Sequence, residues 1–334
     1  MKTLVLITAN FPFGTREPFI NAEFPFLENE FKRIIIISQN TDSEQTRTLP
    51  QHVKVFRYNT STSLTGFLFF PNLLIKNRRL IASLYNEEVE FRNSLSYALT
   101  FKRKKILITK IIKSIQLRDY IKSKLSNEKI SSEIIFYSYW LNTGAHAIGM
   151  LDYVNSVKIA RAHGSDLYEE KTLPGYLPLL KFTSENLDSI FFTSEHGKKY
   201  FAIKTGSVKT ELNVSRLGVI KPESEVNTAS GGAEFLIVSC SNLIAIKRID
   251  LIIKALKLVS ENKQIKWIHF GFGSLRDEME KLAADMLGRK ERVRYEFKGY
   301  VPNDEILRFY SNNTINLFLN TSLTEGVPVS IMEA

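Results

Sequence analysis

Residues 235–261 read FLIVSCSNLIAIKRIDLIIKALKLVSE, and the order of elements in this stretch decides the fold. The apolar run over 235–239 is typical of a buried strand, and the polar residues after it predict a loop. From residue 249 apolar residues recur at helical spacing, which predicts a helix to residue 261. This order repeats toward the C-terminus, with predicted strands over 266–270, 293–297 and 315–319 and predicted helices over 274–287 and 304–311. A chain that alternates strands with helices favours a parallel, doubly wound sheet.

The N-terminal part of the chain shows the same alternation. Strands are predicted over 3–8, 33–38, 53–58, 133–139, 157–161, 189–193 and 212–216, with helices over 17–30, 142–152 and 195–201 and a mostly helical segment over 66–125. Residues 218–233 are rich in Gly, Pro, Ser and Glu and lack a hydrophobic period, so they predict a linker. We therefore expect an α/β protein with a Rossmann-like domain over 1–218, a linker over 219–233 and a second Rossmann-like domain over 234–334, facing each other across a cleft.

Length and composition restrict the class of protein. With 334 residues, of which 44% are hydrophobic, the chain is long enough for two domains with their own cores. Its single cysteine, Cys240, excludes an internal disulfide and is typical of a reducing cytoplasm. The apolar run at the N-terminus is short for a signal peptide, and no apolar stretch is long enough to span a bilayer. We expect a cytoplasmic protein.

The net charge of +10 is concentrated in one segment, residues 101–124, which contains nine Lys or Arg residues and a single Asp. Apolar residues between them recur at helical spacing, so the segment is predicted to be a basic amphipathic helix. Such a helix can lie on anionic lipid headgroups at the inner face of the cell membrane. Alternatively, its apolar stripe packs on its own domain and its lysines face water. A nucleic-acid partner is not expected, because no recognition motif accompanies the charge.

The C-terminal stretch 320–334, NTSLTEGVPVSIMEA, contains two carboxylates, Glu325 and Glu333, eight positions apart. Between them Pro328 suits a first helical turn, and Gly326 permits close approach to the backbone. A helix N-terminus favours a phosphate, and a carboxylate can accept hydrogen bonds from two neighbouring hydroxyls. This spacing matches a sugar nucleotide, which has hydroxyls on both sides of a diphosphate. The alternative is a solvent-exposed loop Glu and an unrelated Glu on a helix face.

This stretch resembles the E-x7-E segment of the retaining glycosyltransferases of family 4, which have a GT-B fold. The resemblance is strong over 235–334 and moderate over 1–27 and 133–218. It implies a metal-independent, retaining hexosyltransferase that needs no cofactor besides its donor, a UDP- or GDP-sugar. The acceptor would be a glycan or a polyprenyl-diphosphate-linked glycan in polysaccharide biosynthesis. By the same resemblance Glu325 contacts the donor sugar and Glu333 contacts the nucleotide ribose.

Two cations, Lys247 and Arg248, stand at the predicted start of the helix that follows residue 239. There they could hold a diphosphate and stabilise it as a leaving group; the alternative is a surface pair. The resemblance matches Lys247 to the family's lysine. Asn242 stands where the family has an arginine, which either shifts the expected role to Arg248 or leaves donor binding weaker.

His163 begins an HG-x-D pattern that ends at Asp166 and resembles the family's histidine site near the donor sugar. Considered alone, it is more typical of a structural histidine. The remaining predicted donor-binding residues are Gly271, Gly273, Tyr300, Val301, Gly326, Val327 and Pro328. The residues predicted on the acceptor side are Gly14, Arg16, Tyr139, Trp140 and Asp166. The sequence contains no metal-binding motif in a suitable context.

Two other functions stay open at this stage. One is a nucleotide-sugar epimerase of the same architecture. The other is an inactive membrane- or glycan-binding fragment, because family members continue beyond the position of Ala334 with further β/α units. The resemblance therefore implies that the second domain is truncated.

Overall fold

The computed structural model describes residues 2–39, 43–59, 71–128, 130, 132–206, 208–219, 234–259, 263–325 and 327–334. Contacts between residues divide the chain into two compact units, Met1–Arg216 (unit 1) and Leu217–Ala334 (unit 2). Each unit has its own parallel sheet and its own core.

Unit 1 is built on a seven-stranded sheet in the order β3-β2-β1-β4-β5-β6-β7, with every neighbouring pair parallel. The strands are β1 (Lys2–Thr8), β2 (Arg33–Ser38), β3 (Val53–Arg57), β4 (Glu133–Ser138), β5 (Ser156–Ala162), β6 (Ser189–Phe192) and β7 (Glu211–Val214). Alternate residues of β1 enter two different cores, Val5 and Ile7 on one face and Leu4 and Leu6 on the other. This period of two, with both faces buried, explains why the strand is a continuous apolar run.

Seven α-helices belong to the described part of unit 1. They are α1 (Ile20–Glu30), α2 (Pro71–Lys76), α3 (Arg78–Ser94), α4 (Phe101–Leu125), α5 (Thr143–Gly149), α6 (Leu180–Asn186) and α7 (Glu195–Thr205). The helix predicted from residue 17 begins at Ile20 instead, because Glu17 has a left-handed backbone (φ 59°) that cannot continue a right-handed helix. Of the long helical segment predicted over 66–125, residues 66–70 lie outside the described residues.

Unit 2 has a four-stranded sheet in the order β10-β9-β8-β11, again parallel throughout. Its strands are β8 (Glu234–Cys240), β9 (Gln264–Phe270), β10 (Val293–Gly299) and β11 (Leu317–Phe318). Its helices are α8 (Ile249–Leu258), α9 (Arg276–Leu287), α10 (Asn303–Asn312) and α11 (Val329–Glu333). The predicted alternation of strands and helices in a parallel α/β fold is confirmed, although the last strand is shorter than predicted.

The burial of α4 shows where the apolar residues of the basic segment 101–124 lie. Its buried residues are Leu107, Ile111, Ile112, Ser114, Ile115, Leu117, Ile121 and Leu125. The apolar members pack into two cores of unit 1, while Lys102, Lys104, Lys105 and Lys122 are exposed. The protein's own core covers that stripe, as the second interpretation has it, and attachment to a membrane surface stays a prediction. In the described part of the chain, no helix is both long and apolar enough to cross a membrane.

Candidate functional site

The carboxyl ends of the three longer strands of unit 2 are held together by backbone hydrogen bonds between the turns that follow them. The donor–acceptor pairs are Ser241 N to Phe270 O at 3.0 Å, Leu243 N to Phe272 O at 3.2 Å and Gly271 N to Gly299 O at 2.9 Å. Because the strands are parallel, these turns lie at one edge of the sheet, which is where open α/β sheets bind ligands.

Gly271 and Gly273 are required by this packing. A Cβ atom on Gly271 would lie 1.8 Å from the Ser241 carbonyl oxygen, and one on Gly273 would lie 2.3 Å from that of Leu243. Gly271 also has a φ of +143°, which residues with a side chain rarely adopt. The close approach predicted from these glycines is thus made by the protein's own backbone. An ordinary strand–helix turn accounts for both residues, and their predicted contact with a donor stays a prediction.

Lys247 and Glu325 form an ion pair, with 2.7 Å between Lys247 Nζ and Glu325 Oε1. The pair is partly accessible, since the side chains are 21% and 26% exposed. Asn320 Nδ2 donates to the same carboxylate oxygen at 3.2 Å. Lys247 ends a 3-10 turn over Ala245–Lys247 that follows β8. The structure thus brings together two predicted site residues that are 78 positions apart in the chain.

Backbone contacts fix the two segments that carry this pair. Thr321 Oγ1 donates to the carbonyl oxygens of Lys247 and Arg248, both at 3.0 Å, and Leu323 N donates to Ile246 O at 2.9 Å. Arg248 itself has a left-handed backbone (φ 50°) and an exposed side chain. The geometry therefore joins Lys247 to Glu325, whereas Arg248 contributes its carbonyl group to the scaffold.

Opposing effects determine the protonation of Glu325. Burial raises the pKa of its carboxyl, but the hydrogen bonds from Lys247 and Asn320 and the charge of Lys247 outweigh burial and hold the pKa below its ordinary value. Glu325 is therefore a carboxylate near neutral pH. It can accept hydrogen bonds from hydroxyl groups but cannot act as a general acid.

Glu333 lies at the end of α11 and accepts a hydrogen bond from Asn303 Nδ2 at 3.0 Å. Burial raises the pKa of Glu333, against the effect of that bond. Burial also raises the pKa of the Cys240 thiol to about 11; the charge of Glu333 raises it further, and that of Lys247 opposes the rise. Since Cys240 is the last residue of β8, Glu333 and Lys247 both lie close to this strand end.

The other residues that were predicted to bind the donor differ in exposure and in backbone conformation. Tyr300 is exposed, whereas Val301 is partly buried against a core cluster of unit 2. Pro328 is not the first helical residue as predicted; its ψ of 77° places it before α11, and its carbonyl accepts from Ile331 N at 3.0 Å. Val327 is partly buried beside it, and Gly326 lies outside the described residues.

In unit 1, His163 is buried at the end of β5, among three aromatic rings. The ring centroids of Trp140, Phe19 and Tyr139 lie 4.5, 5.3 and 5.4 Å from its own. His163 Nε2 is 3.1 Å from the Tyr139 carbonyl oxygen. A carbonyl oxygen can only accept a hydrogen bond, so Nε2 carries the proton and Nδ1 is left as an acceptor.

Burial lowers the pKa of His163 to about 4; the charge of Arg161 adds to this effect and the Tyr139 hydrogen bond opposes it. The imidazole is therefore neutral near pH 7. In that form it can accept a hydrogen bond from a sugar hydroxyl, but it has no positive charge to offer a phosphate.

Asp166 is buried and bonded to the protein's own backbone, and its predicted acceptor-side role stays a prediction. Its oxygens accept from the backbone N–H groups of Leu141 and His163, each at 2.7 Å. Burial raises the pKa of Asp166 to about 6, against the effect of these bonds. Asp166 connects the loop after β4 to the loop after β5, and so positions His163.

Glu17 is a functional residue that the sequence did not identify. It is 4% exposed, and its carboxylate accepts from the backbone N–H groups of Ala9 at 3.1 Å and Phe11 at 2.7 Å, from that of Asn10, and from the indole N–H of Trp140. The backbone of the first β/α loop thus folds around the Glu17 carboxylate, which also orients Trp140. No periodicity marks such a residue, because its role depends on the conformation of the loop.

The remaining predicted acceptor-side residues, Gly14 and Arg16, lie in the same loop. Gly14 has a φ of +61°, and its carbonyl oxygen accepts from Arg47. The carbonyl oxygen of Arg16 accepts from Arg47 Nη2 at 2.9 Å, and its side chain is exposed. A second carboxylate, the partly buried Glu23, accepts from the hydroxyls of Tyr137 and Tyr139 at 2.9 Å and pairs with Arg161 at 3.1 Å. This polar network supports the aromatic rings around His163.

The C-terminal part of the chain matches a known protein family. Residues 221–334 match the family model described as "Glycosyl transferases group 1". This segment contains Lys247, Glu325 and Glu333. No curated protein sequence shows significant similarity to the chain.

Three solved structures illustrate the similarity in fold. The alignment with each of them includes 100% of this chain. The lipopolysaccharide outer core galactosyltransferase WaaB is 14% identical with a TM-score of 0.60, and 78% of its chain is covered. A variant of TarM from S. aureus, in complex with fondaparinux, alpha-GlcNAc-glycerol and UDP, is 13% identical with a TM-score of 0.60 over 84% of its chain. HepE from Anabaena, in complex with UDP-glucose, is 14% identical with a TM-score of 0.53 over 78% of its chain. The fold is that of the GT-B glycosyltransferases, with two Rossmann-like domains.

Among the described residues, no group of three or more His, Cys, Asp or Glu side chains is arranged to hold a metal ion.

The protonation of His163 can be measured directly. We expect its imidazole to stay neutral with the proton on Nε2 down to about pH 4, because burial disfavours the charged form. An unfolded chain takes up this proton near the ordinary value of 6.5, so the contribution of His163 to stability is lost as the pH falls from that value toward about 4. Long-range proton–nitrogen correlation spectra over pH 3.5–8 would report the tautomer, and the signal is assigned by its loss in His163→Asn. A midpoint near the ordinary value would contradict the burial of this ring.

Proposed function

We propose that this protein is a retaining, metal-independent glycosyltransferase of family 4. It would transfer a sugar from a UDP- or GDP-sugar to a glycan or a polyprenyl-diphosphate-linked acceptor in polysaccharide biosynthesis. The observation that carries the proposal is the ion pair between Lys247 and Glu325, 2.7 Å apart at the strand ends of unit 2. It lies inside the segment that matches the glycosyl transferase model.

Unit 2 would bind the donor. The carboxylate of Glu325 accepts hydrogen bonds from the sugar hydroxyls, and Glu333, beside the end of β8, accepts those of the ribose. The Lys247 ammonium, with Arg248 as a second cation, neutralises the diphosphate. The negative charge on the diphosphate grows as it departs, so a cation fixed in advance stabilises the transition state more than the bound donor.

In the proposed reaction, the bond between the anomeric carbon and the phosphate oxygen breaks, and the diphosphate leaves with the electron pair. An acceptor hydroxyl forms the new bond from the same face of the sugar, and its proton passes to the departing phosphate oxygen. His163, neutral and with Nδ1 free to accept, would orient a sugar hydroxyl in the proposed acceptor-binding unit. Asp166 and Glu17 would act as positioning residues for His163 and Trp140.

Removal of the Lys247 charge tests this mechanism. We expect Lys247→Met to lower kcat for consumption of the sugar nucleotide by a factor of ten or more, because the leaving group loses its counter-ion. Chromatography of UDP- and GDP-sugars before and after incubation measures the rate, and NMR of the product gives its anomeric configuration. Lys254→Met is the matched control, since Lys254 pairs with Asp250 on a more exposed face of α8.

Two results would contradict the proposal. An unchanged rate in a folded Lys247→Met protein would remove the leaving-group role of this lysine. A product of inverted configuration would exclude retention. A changed sugar with the nucleotide still attached would indicate an epimerase instead.

We also propose that this protein is cytoplasmic and binds the anionic inner face of the cell membrane through charge alone. The first turns of α4 expose Lys102, Lys104 and Lys105, whereas the apolar stripe of that helix is buried in unit 1. Each lysine near a lipid surface contributes about 1 kcal/mol, so changing all three to Gln should weaken binding to phosphatidylserine vesicles roughly 100-fold. Co-sedimentation at low salt measures this. Binding that persists at 0.5 M NaCl would contradict a purely electrostatic contact.

A further inference from the structure

A cavity of about 180 Å³ lies in unit 1, next to the aromatic rings around His163. Its polar lining comes from α4, from the loop after β4, from α5 and from the loop after β5. The polar or aromatic residues that line it are Lys110, Trp140, Asn142, His146, Ser165 and Asp166. The cavity has room for several water molecules, and hence for a phosphate or carboxylate group.

Lys110 is the cation of this cavity. Its Nζ donates to Thr143 Oγ1 at 3.0 Å, and within the described part of the chain no carboxylate forms an ion pair with it. The other buried cations of unit 1 are paired: Arg92 with Glu88 and Glu169, and Arg161 with Glu23. A partly buried ammonium without a counter-ion is costly, so its presence beside a cavity indicates that an anion binds there.

Neither of the other titratable groups that line the cavity supplies that anion. Asp166 forms no ion pair with Lys110 among the described residues, and its two oxygens accept from backbone N–H groups at 2.7 Å. Burial lowers the pKa of His146 to about 3, and the charge of Lys110 lowers it further, so His146 is neutral. The pKa of Lys110 is itself lowered, by burial and by the charge of Lys113, which is the direction expected for an ammonium with no anion beside it.

Trp140 connects the cavity to the proposed acceptor side. Its indole N–H donates to Glu17, and Trp140 also lines the cavity. The same ring lies 4.5 Å from that of His163, measured between centroids. The ring of Trp140 would therefore separate a group bound at Lys110 from His163, the histidine that is proposed to orient a sugar hydroxyl.

We propose that this cavity binds an anionic group of the acceptor, a phosphate or a carboxylate, with Lys110 as its counter-ion. The assignment of the anion to an acceptor rests on the proposed function, whereas anion binding at Lys110 does not. The acceptor would then be an anionic glycan or a phosphate-bearing lipid carrier, and a neutral glycan would bind less well.

The fluorescence of Trp140 gives a readout at the cavity itself. The chain has two tryptophans, and the other one, Trp267, is fully buried in the core of unit 2. The 334-residue protein is titrated separately with inorganic phosphate and with glucuronate, at ionic strength held constant with KCl. We expect a saturable change in emission with at least one of the two anions, and the response identifies the preferred group.

Lys110→Met tests the counter-ion. We expect it to weaken the binding of the anion at least ten-fold, while Lys199→Met, which removes an exposed charge from α7, leaves it unchanged. The melting temperature of Lys110→Met should not fall, because the substitution removes an unpaired, partly buried charge.

The proposal is overturned if the protein gives no saturable response to either anion, or if Lys110→Met responds as the unmodified protein does. Because this titration involves no sugar transfer, its failure is distinguishable from a failure of the proposed function, which would appear as a sugar nucleotide that is neither bound nor consumed.

Discussion

The close approach of the Gly271 turn to the Ser241 carbonyl is the constraint on which the candidate site of unit 2 depends. Any side chain at position 271 would begin 1.8 Å from that oxygen, so the turns after β8 and β9 can pack this closely only at glycine. The packing of these two turns fixes the position of the loop that connects β8 to Lys247. Thr321, bonded to the carbonyls of Lys247 and Arg248 at 3.0 Å, then sets the segment of Glu325 beside it. The ion pair is therefore a consequence of how the backbone is arranged at one sheet edge.

Unit 1 fixes its strand ends by a different means, with buried or partly buried carboxylates in place of glycines. Glu17 binds three consecutive backbone N–H groups and Trp140, Asp166 joins two loops, and Glu23 holds two tyrosines and Arg161. Charge-assisted hydrogen bonds of this kind are stronger than neutral ones. Against this background Lys110 is the exception, since it lines a cavity without a carboxylate partner among the residues that the structure describes.

The sequence predicted the parts of this molecule that depend on local pattern. The apolar runs of β1 and β8 and the helical spacing after them sufficed for two parallel α/β units, and residue types with their spacing pointed to Lys247 and Glu325. The parts that it missed depend on contacts between distant residues or on unusual backbone angles. Glu17 meets Trp140 across 123 positions and has a left-handed φ, and nothing in the local sequence indicates either fact. The apolar stripe of α4 had two possible partners, lipid or protein, and only the tertiary structure shows that protein covers it.

The central claim is that unit 2 binds a nucleotide sugar at the end of β8, with Glu333 on the ribose. Calorimetric titration of the protein with UDP, GDP, ADP and CMP, repeated on Glu333→Ala, tests it most directly. The account predicts that UDP or GDP binds selectively and that the substitution weakens this binding about ten-fold or more, because a carboxylate that accepts from the ribose hydroxyls is lost. Binding of none of the four nucleotides, or equal binding by the variant, would contradict it.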